Sequence, residues 1–109
     1  MARYVYTVFS NAVAGQEKEY NRWYNEQHLD DVLRVAGFVS AQRFKLAQPD
    51  PQAPAQYLAI YNIDSNDVQK TLAQLGELAG KPQMLISPAL DMQGVKTFLY
   101  EQITDVKHK

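Results

Sequence analysis

Cysteine is absent from the chain, which removes disulfides, thiolate catalysis and cysteine metal sites. Small secreted domains commonly need disulfide staples, so this absence points to a cytoplasmic protein. No apolar run approaches the roughly 20 residues of a membrane span. The opening Met1 to Thr7 does not read as a signal peptide, and no membrane partner is expected. Basic excess is also missing: 11 Lys and Arg stand against 12 Asp and Glu, a net charge of -1. Without positive charge to hold a polyanion, no nucleic-acid partner is expected. Glycine-rich phosphate loops are absent. Histidine is scarce, with His28 in the body of the chain and His108 in a polar tail. One His beside Asp30 and Asp31 is a poor ligand set, so no metal and no cofactor are expected.

Aromatic side chains are plentiful: 7 Tyr, 4 Phe and 1 Trp in 109 residues. A domain of this length buries only about two-thirds of its unfolded surface. Part of the aromatic area is therefore expected in a pocket or a subunit interface.

Arg3 to Phe9 is almost wholly β-branched or aromatic, the signature of a strand. From Gln16 the spacing turns helical: Tyr20, Trp23, Tyr24 and Gln27 recur at threes and fours, and His28 follows Tyr24 by four. That helix is expected to reach about Val35, with a break near His28 to Asp30, and to stop at Gly37. Phe38 to Leu46 alternates as a second strand, with Phe38, Ser40, Gln42 and Phe44 on one side and Ala41 and Arg43 on the other. A proline-rich hairpin loop from Gln48 to Pro54 leads to a third strand, Gln56 to Ile63. Asp64 or Ser65 caps a second helix whose apolar stripe is Val68, Leu72, Leu75 and Ala79. Gly80 to Gly94 lacks periodicity and reads as an irregular flap; Val95 to Ile103 is the last strand.

The order β-α-β-β-α-β predicts one ferredoxin-like α+β domain over residues 1–109, with a four-stranded antiparallel sheet and both helices on one face. The second sheet face also carries apolar residues. A second copy of the chain is its economical cover, which predicts a homodimer.

Residues Glu17 to Leu33, with the aromatic pair Trp23-Tyr24, His28 and Asp31, followed by Ala36-Gly37-Phe38 opening strand two, resemble the EthD-like branch of the dimeric α+β-barrel superfamily. The chain carries Gln27 where the EthD type often has a second His, and Asp30 where proline is expected. The resemblance implies a dimeric α+β barrel and a small-molecule site. The superfamily includes cofactor-free oxygenases, polyketide cyclases, lactone isomerases and haem proteins, and its fold does not choose among them.

His28 is the first candidate for chemistry, because imidazole takes or gives a proton near neutral pH. Asp31, three residues on, is placed to accept from the imidazole and fix its tautomer. Tyr24, Tyr6 and Tyr61 are candidates for holding a carbonyl or phenol, and Arg43 for binding a carboxylate or enolate. Each has a plain structural alternative: a His bonded to a loop carbonyl, tyrosines packed in the core, an exposed strand charge. The expected function is proton transfer by His28 and Asp31 on an aromatic or polyketide-like ligand without cofactor, as an isomerase, cyclase or oxygenase. The alternative is a non-catalytic binder of such ligands serving a degradation pathway.

Overall fold

The computed structural model describes residues 2–108. Strand β1 (Ala2–Ser10) runs into a helical rod made of α1 (Glu17–Trp23), a π turn (Tyr24–His28) and α2 (Leu29–Leu33). Strands β2 (Phe38–Lys45) and β3 (Tyr57–Ser65) form a hairpin, α3 (Val68–Leu78) crosses back, and β4 (Lys96–Glu101) ends the fold after one 3-10 turn (Met92–Gly94). The sheet order is β2-β3-β1-β4 and every pairing is antiparallel. This is the α+β ferredoxin-like architecture that the element order predicts.

Register decides which residues meet the helices. Tyr6 pairs with Tyr61 and with Leu99, and Ala41 pairs with Tyr61. Alternation then puts Tyr4, Tyr6, Val8, Tyr57, Ala59, Tyr61, Ile63, Thr97 and Leu99 on the helix-covered face. Tyr57, Ala59, Tyr61 and Ile63 are all buried there, with Tyr20, Trp23, Tyr24 and Val32 packed over them. A register shift between Phe38 and Ser40 changes the faces expected for β2. Phe38 pairs with Ile63 and turns inward against Tyr61, while Val39 is left exposed. One extra residue in a bulge is invisible to simple alternation.

Gly37, in the turn between α2 and β2, has φ 101°, a left-handed backbone that favours glycine. A Cβ there would also stand 3.0 Å from Thr71 Cγ2 and Oγ1. The opposite face of the sheet carries Val5, Phe9, Leu58, Ile60, Phe98 and Tyr100; Phe98 and Tyr100 are 47% and 58% exposed. Among the described residues no helix is long and apolar enough to cross a membrane.

Candidate active site

A cavity of about 800 Å³ lies between the helix-facing side of the sheet, the rod and the segment from Gly80 to Val95. That size suits a small organic ligand. Its walls are mainly apolar: Val8, Val32, Leu75, Met84, Ile86 and Leu90. The polar groups among them are few, namely Tyr6, Tyr24, His28, Tyr61, Ser87, Asp91, Gln93 and Thr97. Exposed Val13 and Met92 belong to its rim.

The π turn sets the position of His28. Its wider winding brings residues five apart into contact. The His28 ring stacks on Trp23, with centroids 4.5 Å apart and planes 22° apart, and meets Tyr24 edge-on at 5.2 Å. Trp23 is itself pinned, because its indole N–H donates to the Leu85 carbonyl at 3.1 Å. The irregularity expected at His28 to Asp30 thus lies earlier, at Tyr24–His28.

His28 Nδ1 is buried and has no hydrogen-bond partner within the protein. Nε2 is left as the nitrogen available to a ligand. Burial holds the imidazole well below its ordinary proton affinity, at a pKa of about 4, and the carboxylate of Asp31 offsets this only in part. His28 is therefore neutral at pH 7.

The tyrosines form the cavity's polar floor. Tyr61 is 2% exposed and its hydroxyl has no partner within the protein. The neighbouring Tyr24 hydroxyl influences it without reaching bonding geometry. Burial pushes the Tyr24 phenol up to about 12 and raises that of Tyr61 further. Both are neutral donors at pH 7. Tyr6 lines the same cavity beside Tyr61.

Two of the sequence-predicted residues stand elsewhere. Asp31 is buried, but its carboxylate is bonded by the Arg34 guanidinium and not by His28. The predicted Asp31–His28 hydrogen bond is absent, because the (i, i+3) partner on the next turn captures the carboxylate. Arg43 does not line the cavity. Its guanidinium lies 4.4 Å over the Tyr24 ring and donates to Asn25 Oδ1 at 2.8 Å and Asn21 Oδ1 at 2.9 Å. Sequence reasoning missed the Trp23–His28 stack, since a spacing of five lies outside α-helical periodicity. It also missed Ile86 and Ser87 as wall residues, because their segment has no period to read.

A mostly apolar cavity on the helix-facing side of a ferredoxin-like sheet, with one neutral His and a floor of tyrosines, is the candidate site of this α+β fold. Residues 3–80 match the family described as Domain of unknown function (DUF4286), and the chain belongs to that family. No curated protein matches its sequence. Solved structures share the fold at low identity. The heme-degrader MhuD from Mycobacterium tuberculosis, solved with two hemes in its active site, is 17% identical at a TM-score of 0.65, over 95% of this chain and 99% of that one. A candidate monooxygenase from Shewanella loihica is 20% identical at a TM-score of 0.58, over 96% and 99%. An ethyl tert-butyl ether degradation (EthD) family protein from Bacillus halodurans is 11% identical at 0.60, over 94% and 100%. It is the fold that the EthD-like resemblance of the first helix implies.

Proposed function

We propose that this chain is a small-molecule enzyme of the cytoplasm that moves a proton on an aromatic or carbonyl compound, with His28 as the acid–base group. The observation that carries the reading is a neutral imidazole beside two neutral phenols in one apolar cavity. His28 Nε2 takes a proton from the carbon next to a carbonyl. Tyr61 and Tyr24 hydroxyls donate to the oxygen on which negative charge develops. The walls around them are mainly apolar, which strengthens such donors relative to bulk water. A base of such low proton affinity works because the enolate it creates attracts the imidazolium. The proton held on Nε2 is then returned to another atom of the same enolate, as isomerisation and cyclisation require. Asp31 acts on the imidazole through its charge alone, and Arg43 acts through Tyr24 and not by touching the substrate.

The test is hydrogen exchange in heavy water with tetralone, a neutral aromatic ketone. Deuterium should enter the carbon beside the carbonyl faster with the wild type than with His28→Ala, by about 10²–10⁴-fold. Equal rates for wild type, His28→Ala and buffer would remove the catalytic reading. Tetralone binding without exchange would leave the chain as a binding protein of a degradation pathway, a reading that the low proton affinity of His28 favours.

The bare sheet face supports a homodimer. Phe98 and Tyr100 lie on it exposed, beside Val5, Phe9, Leu58 and Ile60. A second copy applied sheet to sheet should bury roughly 1,600 Å² or more in total. Light scattering at micromolar concentration should give twice the chain mass, and a monomer would refute the dimer.

A further inference from the structure

We infer that the cavity selects uncharged ligands and turns away carboxylates, haem among them. This rests on the cavity being the ligand site. Among its described lining residues there is no Lys and no Arg, and Asp91 is an acid. Two guanidinium groups of the rod and β2 are engaged elsewhere: Arg43 with Asn21 and Asn25, Arg34 with Asp31. A carboxylate entering the cavity would lose its water and find no cation to replace it. An uncharged ketone or phenol meets the opposite situation. Tyr61 lines the cavity and its hydroxyl has no partner within the protein, so a small turn of the ring toward the ligand's oxygen would supply one.

Haem carries two propionates, which need cations or water. An iron-ligating His ordinarily donates its other ring N–H to a carboxylate or carbonyl, which orients it. His28 Nδ1 has no such acceptor. The residues present therefore do not fit the group that MhuD holds.

Trp23 is the single tryptophan and stacks on His28, so its fluorescence reports on the cavity. Three probes of one ring system separate the terms: tetralone, tetralin and tetralin carboxylate. Tetralone should quench Trp23 and bind at least about a hundredfold more tightly than the carboxylate. Tetralin should fall between them, having the ring but no oxygen for Tyr61. Thr97→Lys, which puts a cation on the exposed wall of β4, should narrow the gap between ketone and carboxylate about tenfold or more. Ferric haem should leave both its own absorption band and Trp23 unchanged.

Carboxylate binding as tight as the ketone's, lost in both cases on filling the cavity with Ala79→Phe, would overturn the selectivity and keep the cavity as a ligand site. Haem binding at one or two equivalents that His28→Ala abolishes would overturn it as well. If no probe binds and Ala79→Phe behaves as the wild type, the ligand site itself fails, and this inference with it.

Discussion

On its outer side the Tyr24 ring carries the guanidinium of Arg43, which also lies 5.4 Å from the Tyr20 ring and 5.5 Å from the Tyr57 ring. The side chains of that cluster are bonded to one another. Arg43 donates to Asn21 and Asn25, Asn21 Nδ2 donates to the Tyr57 hydroxyl at 3.4 Å, and that hydroxyl donates to Glu17 Oε2 at 3.2 Å. On the inner side of the same ring the buried polar atoms are unpaired: Tyr61 Oη and His28 Nδ1. A fold driven by stability alone satisfies its buried polar groups. The outer side obeys that rule and ties strand β2 to the rod. The inner side breaks it where a cavity lies, as sites that keep partners for a ligand do.

The largest effect should come from the inner side. His28→Ala should lower proton exchange into tetralone by about 10²–10⁴-fold. It should cost about 1–2 kcal/mol of folding stability, because the ring's packing on Trp23 and Tyr24 is lost but no hydrogen bond is. Stability falling by several kcal/mol with exchange intact would make His28 a structural residue and erase the contrast.

Arg43→Ala attacks the outer side and should do the reverse. It removes a cation from three aromatic faces and strips partners from Asn21 and Asn25. A loss of about 2 kcal/mol in chemical denaturation is expected. Tetralone affinity should change less than about threefold, since no Arg43 atom reaches the cavity. A large loss of affinity at unchanged stability would return Arg43 to ligand binding.

The pH dependence of stability sharpens the same contrast. His28 has a folded pKa of about 4, below the ordinary 6.5, because burial disfavours the imidazolium. Between those values the unfolded chain binds the proton more tightly. The stability contributed by neutral His28 is thus complete above pH 6.5 and lost as pH falls to about 4. Solvent reaches the half-buried ring, so the loss should be about 1–2 kcal/mol. Denaturation midpoints of wild type and His28→Gln across this range should diverge on acidification. Parallel curves would mean that the ring is hydrated.

The element order, the alternation that puts Tyr57, Ala59, Tyr61 and Ile63 on one face, and the turn at Gly37 were legible because each rests on local periodicity or on a backbone that only glycine adopts. That Tyr6, Tyr24, His28 and Tyr61 line one cavity depends on which sheet face meets the rod, and strand parity alone leaves that open. What else escaped depends on irregularity. The bulge at Val39 turned Phe38 inward, and the π turn traded an α-helical stripe for a Trp23–His28 stack. Asp31 had two candidates in reach, His28 and Arg34, and spacing alone does not rank them; the cation won. Arg43 reads as a surface charge or a ligand for anions until the aromatic faces around it are known.

The smallest predicted effect is the one whose sign is most telling. Tyr20 and Tyr61 are both fully buried tyrosines, and they differ in one bond. The Tyr20 hydroxyl lies 2.6 Å from Ser10 Oγ, itself buried, while the Tyr61 hydroxyl has no partner. Tyr20→Phe leaves Ser10 unpaired and should cost about 1–2 kcal/mol. Tyr61→Phe removes an unsatisfied hydroxyl and keeps the ring packed edge-on against Phe38 at 6.0 Å. It should raise stability by about 0.5–1 kcal/mol while weakening tetralone binding several-fold, because the ligand's oxygen loses its donor. Urea denaturation with unchanged slopes isolates the two stability changes. If Tyr61→Phe destabilises as Tyr20→Phe does, the Tyr61 hydroxyl is bonded inside the folded protein. If stability rises but tetralone binds unchanged, that hydroxyl is a packing flaw and the ligand takes its bond from Tyr24 or His28.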